Sequence, residues 1–262
     1  MSAPPLSLPQ GYEYFWYDEI DSTNQEALRR SKDGQKPNSW FCARQQSEGR
    51  GTKGNKWISQ TGNLYASLFI GSNCPPDKLA QISVLAGLAA ITAIEQVVGE
   101  EFSLDDLCLK WPNDLLLEGR KICGILVESR QAPQTGFYDI VIGSGVNICT
   151  NPELEGRYRA ANLRDRGGSC SRQELFVALA QSTRDWLSIW RHGDGFETLR
   201  LAWLERSCHI GRKITLMVGD RLHEGRMTTM SSGGALVLED HEGNENVFSS
   251  GSIIKIEGSF FR

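Results

Sequence analysis

Between Gln45 and Trp57 the chain reads Gln-Gln-Ser-Glu-Gly-Arg-Gly-Thr-Lys-Gly-Asn-Lys-Trp, which places three glycines and three cations in one short segment. Gly49, Gly51 and Gly54 let the backbone approach a ligand closely, and Arg50, Lys53 and Lys56 supply charge for a phosphate or carboxylate. The Gly-Lys-Ser/Thr ending of the common phosphate loop is absent, so the segment reads either as an anion-covering loop or as a solvated basic turn. A second group lies at Lys110-Trp111-Pro112-Asn113-Asp114 and Arg120-Lys121. With Glu118-Gly119 as a two-residue hairpin turn, Leu117 pairs with Arg120, Leu116 with Lys121 and Asp114 with Cys123. Asp114 and Lys121 then share a face, with Cβ atoms about 6–8 Å apart. That spacing suits a carboxylate directed at Mg²⁺ and an ammonium directed at phosphate oxygens; it equally suits a cross-strand ion pair on a wet surface. Pro112 interrupts the ladder, which frees Asn113 and Asp114 to turn towards a ligand.

These residues need a scaffold, and the pattern supplies one. Tyr14 to Ile20 reads as a strand, and a Thr23–Glu26 capping box opens a helix to about Lys32. Either Ser22 or Thr23 caps it, leaving a helix N-terminus with a spare hydroxyl near any small polar ligand. Leu64 to Ile70 is strand-like, Lys78 to Val98 a long buried helix, and Leu107 to Lys110 a strand entering the hairpin. Phe137 to Gly143 is a further strand. Gly143-Ser144-Gly145-Val146-Asn147 after it reads as a terminating turn, or as a close backbone approach with Asn147 at a nucleotide. Arg172 to Trp190 and Phe196 to Cys208 have helical spacing. Gly211 to Ile256 alternates short apolar runs with glycine turns, which predicts an all-β module of about five strands. The expected division is therefore residues 1–206 and 207–262.

Composition narrows the function classes. The 262 residues are 40% apolar and 23% charged with a net charge of −4, as expected of a globular protein with no global field for nucleic acid. Seven scattered cysteines without a Cys-x-x-Cys pair argue against a disulfide framework or zinc site and suit a reducing cytoplasm. The four histidines lack metal-ligand spacing. Met-Ser-Ala-Pro-Pro at the start is no signal peptide, and the apolar run from Ile82 to Val98 carries enough polar residues to be a core helix rather than a membrane span.

Taken in order, Ser22-Thr23-Asn24, Gln46 with Gly49-Arg50-Gly51 through Trp57, Lys110 to Asp114, Arg120 to Glu128 and Gly143 to Asn147 resemble biotin protein ligase, over residues 14 to about 256. The resemblance implies an α/β (α+β) catalytic domain of the class II aminoacyl-tRNA synthetase type with a small C-terminal Src-homology-3-like (SH3-like) β-barrel. The DNA-binding domain of some members has no room here. It implies a two-step reaction: biotin and ATP give biotinyl-5′-AMP and pyrophosphate, then a lysine of the biotin carboxyl carrier domain of acetyl-CoA carboxylase takes the biotin. By the resemblance Lys121 and Arg50 are catalytic. Ser22, Thr23, Gln46, Gly49, Arg50, Trp57, Lys121, Gly124 and Leu126 hold biotin. Arg50, Gly51, Thr52, Asn55, Lys56, Trp57, Asn113, Asp114, Lys121 and Asn147 hold ATP or the adenylate, with Asp114 towards Mg²⁺. The glycine-rich loop then serves as a lid over an adenylate that water would hydrolyse. Many relatives carry arginine where Thr52 stands, and some where Asn55 stands, so faster escape of the adenylate is expected unless Lys53 substitutes. An arginine near the barrel's end in some members gives way here to the Lys255-Ile256 region. The implied setting is cytoplasmic, with the carrier domain as partner, no DNA, no membrane, and a monomer or homodimer. Rivals are a lipoate or octanoate attachment enzyme of the same fold and a non-catalytic biotin sensor.

Overall fold

A computed structural model describes residues 6–100, 102–132, 136–151 and 160–258. Strands β1 (Glu13–Ile20), β2 (Ser39–Gln46), β3 (Leu64–Ser72), β4 (Leu107–Lys110), β5 (Asp114–Leu117), β6 (Arg120–Gln131) and β7 (Tyr138–Val146) form one sheet in the order β1-β2-β3-β7-β6-β5-β4. Only β1 and β2 are parallel. Alternation along the strands divides the faces. Trp40 and Cys42 of β2, Leu64, Ala66, Leu68 and Ile70 of β3, and Ile140 and Ile142 of β7 join the main core. That core lies against helices α2 (Gln81–Val97), α3 (Arg172–Trp190) and α4 (Phe196–Glu205). On the other face Phe41, Phe69 and Val141 pack with Ala27 of α1 (Thr23–Lys32), a short helix that covers only part of the sheet.

α2 is apolar nearly all round, and most of it is buried. The segment Pro76–Val97 is long and apolar enough to cross a membrane by composition, yet its burial marks it as a core helix. It starts at Gln81 because Pro76–Lys78 forms a separate 3₁₀ turn. β2 had no counterpart in the sequence reading: Trp40-Phe41-Cys42-Ala43 is buried on both faces, so it lacks the alternation that marks a half-exposed strand. α1 is capped by Ser22, not by a Thr23–Glu26 box. Ser22 Oγ meets Gln25 N at a long 3.5 Å, while Glu26 accepts from Tyr17, Arg29 and Arg30 instead.

Beyond α4 the chain forms β8 (Lys213–Val218), β9 (Arg221–Met230), β10 (Leu236–Glu239), β11 (Glu245–Phe248) and β12 (Ser252–Ile256). They make an antiparallel sheet in the order β11-β10-β9-β8-β12, with β11 and β12 at its edges. Ile214, Leu216, Met227, Leu236 and Ile253 extend the same core that lies under the first sheet. The junction is pinned by Trp111, whose Nε1 donates to Gly234 O at 3.2 Å and whose N donates to His209 Nε2 at 3.1 Å. α4 stops at Glu205, short of Cys208, because Ser207 bridges to Leu109 of β4.

Candidate active site

On the face that α1 leaves open is a cleft of ≈ 690 Å³, walled by the 46–58 loop, β5, β6 and β7. Its floor is built from glycines. Gly124 and Gly145 are direct cross-strand partners, and the Trp57 indole sits close against both: a Cβ on Gly124 would stand 2.7 Å from Trp57 Cζ3, and one on Gly145 would stand 2.5 Å from Trp57 Nε1. These glycines serve close approach. Gly143 works likewise, since a Cβ there would stand 2.1 Å from Asn24 Oδ1. β7 thus continues through Val146, so of the two readings of Gly143–Asn147 the terminating turn gives way to the close backbone approach, with Asn147 just beyond the strand. Trp57 Nε1 is buried without a hydrogen-bond partner.

One end of the cleft is a chain of polar groups. Thr23 donates through its N (2.8 Å) and Oγ1 (3.0 Å) to Gln46 Oε1, and Gln46 Nε2 donates to Ser59 Oγ at 2.7 Å. Ser67 Oγ donates to Asn24 Oδ1 at 2.6 Å and lies 2.7 Å from Thr23 Oγ1. Ser22, Thr23 and Asn24 are nearly inaccessible. Such a fixed set of donors and acceptors selects a ligand of matching polarity. Tyr65 lines the same end, donates to Gln60 O at 2.7 Å, and has its phenol pushed up to about 12 by burial.

The other end is charged. Lys121 is ion-paired with Asp114 and sits 5.3 Å above the Trp57 ring, while Lys110 approaches Asp114 at 3.5 Å. Burial alone would raise the Asp114 carboxyl, but Lys121 and then Lys110 outweigh it and hold it below its usual value. Lys121, which lines the cleft, brings an ammonium to a developing phosphate charge. The hairpin register differs from the expected one. Leu117–Arg120 and Leu116–Lys121 pair as anticipated, but a bulge shifts Asp114 to Gly124 instead of Cys123. Asp114 and Lys121 still meet, now in direct contact and largely buried rather than on a wet surface. A carboxylate already matched by two cations is a poor Mg²⁺ ligand. No cluster of three His, Cys, Asp or Glu side chains occurs among the described residues. An all-protein cage for Mg²⁺ is therefore not built at Asp114; an ion arriving with ATP would be carried mainly by the phosphate oxygens.

Of the residues expected at the site, Ser22, Thr23, Gln46, Arg50, Gly51, Thr52, Asn55, Lys56, Trp57, Asn113, Asp114, Lys121, Gly124 and Leu126 line the cleft. Gly49 and Asn147 do not. Gly49 sits beneath the loop, where a Cβ would stand 2.2 Å from Trp57 O. Asn147 is buried and structural: Oδ1 accepts from Asn63 at 3.3 Å and Nδ2 donates to Ala161 O at 3.1 Å. Asn113 spends its Nδ2 on Ile125 O at 2.7 Å, which fixes the cleft rim. Lys53, the substitute considered for an arginine at position 52, does not line the cleft; its Nζ reaches Ser252 Oγ at 2.9 Å on β12. Sequence reasoning gave no role to Asn24, Ser67 or Tyr65. A serine within an apolar strand was the available signal for Ser67.

Comparison with known proteins gives the same picture. The family model described as "Biotin/lipoate A/B protein ligase family" matches residues 16–147. A biotin–[acetyl-CoA-carboxylase] ligase of Paracoccus denitrificans is 31% identical over 230 residues, covering 86% of this chain and 93% of that protein. The bifunctional ligase/repressor BirA of Escherichia coli is 32% identical, covering 84% of this chain and 67% of that protein. Among solved structures, a biotin protein ligase from Aquifex aeolicus in complex with biotin and ATP superimposes with a TM-score of 0.75 at 24% identity, covering 92% of this chain and 97% of that one. With most of its length matched and the glycine-floored cleft inside the matched region, the chain belongs to the biotin/lipoate A/B protein ligase family.

Proposed function

We propose that this protein is a biotin–[biotin carboxyl-carrier protein] ligase, which activates biotin with ATP as biotinyl-5′-AMP and transfers it to a lysine of the carrier domain of acetyl-CoA carboxylase. One observation carries the reading: a polar cluster and a cationic cluster stand at opposite ends of one apolar, glycine-floored cleft. Biotin has that polarity, with a ureido ring at one end, an aliphatic chain between and a carboxylate at the other. Ser22, Thr23 and Gln46 meet the ring, while Trp57, Gly124 and Leu126 line the chain. Arg50, Lys121, Gly51, Thr52, Asn55, Lys56, Asn113 and Asp114 face the carboxylate and nucleotide.

In the first step a biotin carboxylate oxygen attacks the α-phosphorus, and the bond to the bridging oxygen breaks to release pyrophosphate. The protein's part is to align the two anions and neutralise the charge between them. Lys121 is suited to that task because Asp114 and the Trp57 ring fix its ammonium in place. In the second step the acceptor lysine, as the free amine, attacks the acyl carbon. An amide forms, AMP leaves and the amine gives up a proton. The 46–58 loop limits access of water to the mixed anhydride in between.

Residues 1–206 form the catalytic unit in this reading, resembling class II synthetases. Residues 207–262 form an accessory module whose five short antiparallel strands favour an SH3-like origin. All seven cysteines are free, which suits a cytoplasmic setting, with the protein acting as monomer or homodimer and without DNA or membrane partners. The test is transfer of biotin to a purified carrier domain, read as a mass increase on its acceptor lysine. Wild type labels and Lys121→Ala does not; unchanged labelling by Lys121→Ala removes the assigned role.

A further inference from the structure

Cys108 and Cys208 are far apart in the sequence and meet where β4 runs beside the segment that leaves α4. Leu109 bridges to Ser207 in parallel, with Leu109 N donating to Arg206 O at 2.8 Å and Cys208 N to Leu109 O at 3.1 Å. Leu107 and Leu109 enter the core, so Cys108 between them turns to the opposite face of β4. Cys208 folds back over the same seam, where its Sγ donates to Leu109 O at 3.3 Å. Both side chains are half-buried, and both line a second cleft of ≈ 660 Å³ that shares no lining residue with the first. Asp106, Glu118 and Arg212 also line it, so the opening is polar and admits a small polar reactant.

The two thiols bond to each other. Donation from Cys108 draws the Cys208 thiol well below its usual value despite burial, and the same contact, with burial, pushes Cys108 up. One sulfur is thereby favoured as the nucleophile, and its neighbour is placed to resolve the product. The remaining cysteines lack this combination. Cys42, Cys74, Cys123 and Cys170 are buried, and burial pushes Cys123 up to about 12 and Cys170 to about 11. Cys149 spends its S–H on Gly62 O at 3.0 Å.

We propose that Cys108 and Cys208 form a redox-active dithiol that a hydroperoxide closes to a disulfide, stapling β4 to the segment after α4. The Cys208 sulfur attacks one peroxide oxygen, the O–O bond breaks, and water leaves a sulfenic acid. The Cys108 thiol then attacks that sulfur, and a second water leaves as the S–S bond forms. Two thiols are oxidised and one hydrogen peroxide is reduced to two waters. The cross-link closes a loop of about 100 residues in the unfolded chain, so oxidation stabilises the fold. None of this depends on the acyl chemistry proposed above.

The test treats the intact reduced protein with hydrogen peroxide, alkylates the remaining thiols and reads the digest by mass spectrometry. A Cys108–Cys208 linked peptide is expected, with loss of two of the seven free thiols and their return on dithiothreitol. The oxidised wild type should melt about 5 °C above the reduced protein, a shift absent from Cys108→Ser and Cys208→Ser. Cys108→Ser should stop at a sulfenic acid on Cys208, trapped by dimedone; an adduct formed only on Cys108, in Cys208→Ser, would overturn the assigned order. Both cysteines still open to alkylation, or oxidised singly without joining, would overturn the proposal. So would a lower melting temperature for the linked protein, because bridging would then distort the seam rather than staple it.

Discussion

Asp114 is the residue on which most of the local electrostatics turns. Its folded carboxyl lies below the ordinary value of 3.8, because Lys121 and Lys110 outweigh the effect of burial. A depressed carboxyl stabilises the fold above the unfolded value and loses that contribution as pH falls through the folded one. Asp114→Asn is therefore expected to cost about 3 kcal/mol near neutral pH by removing the carboxylate that Lys121 is paired with. The gap to wild type should narrow below pH 3.8, measurable by urea unfolding across pH. Thr52 raises a separate question. It lines the cleft at a position where the family resemblance leads one to expect arginine, and Lys53 reaches Ser252. Thr52→Arg is expected to slow release of the adenylate; equal off-rates would mean that the lid needs no second arginine. Of the nucleotide contacts anticipated from sequence, Asn147 is the one displaced. Pattern placed it correctly at the end of a strand, but only the fold reveals that its amide serves Asn63 and Ala161. Asn147→Ala should lower stability by about 1–3 kcal/mol, with KM for ATP nearly unchanged.

At the scale of elements, the hairpin of β5 and β6 and its pairing with β7 make the site. The turn at Glu118-Gly119 was legible because a two-residue loop with glycine fixes register over the next pairs. The bulge beyond Leu116 was not, since an extra residue in one strand leaves no mark on an apolar pattern. β2 stayed hidden for a related reason: a strand buried on both faces has no alternation to read. The glycine floor was legible as glycines but not as a floor, because that meaning comes from the cross-strand partnership of Gly124 with Gly145. Gly145→Ala tests the floor. The added methyl collides with the Trp57 indole, so the tryptophan fluorescence should shift and biotin affinity fall by about 10-fold or more, on the order of 1–3 kcal/mol for overpacking. Unchanged binding would show that Trp57 does not shape the pocket.

For the whole molecule, the change of composition after residue 206 led to the expectation of a two-part organisation. The structure shows two sheets sharing one continuous apolar core, with Trp111 bonded across the junction to Gly234 and His209. A shared core couples the parts, so thermal unfolding is expected as a single transition, with calorimetric and far-ultraviolet signals coinciding. Two resolved transitions would mean that residues 207–262 fold alone. The contact of Lys53 with Ser252 also ties the glycine-rich loop to the second sheet. The most direct test of the whole account is ATP–pyrophosphate exchange by the purified protein with biotin as the only acyl substrate. Exchange that requires biotin and disappears in Lys121→Ala is the expected result; no exchange with biotin, but exchange with lipoate in its place, would contradict the account.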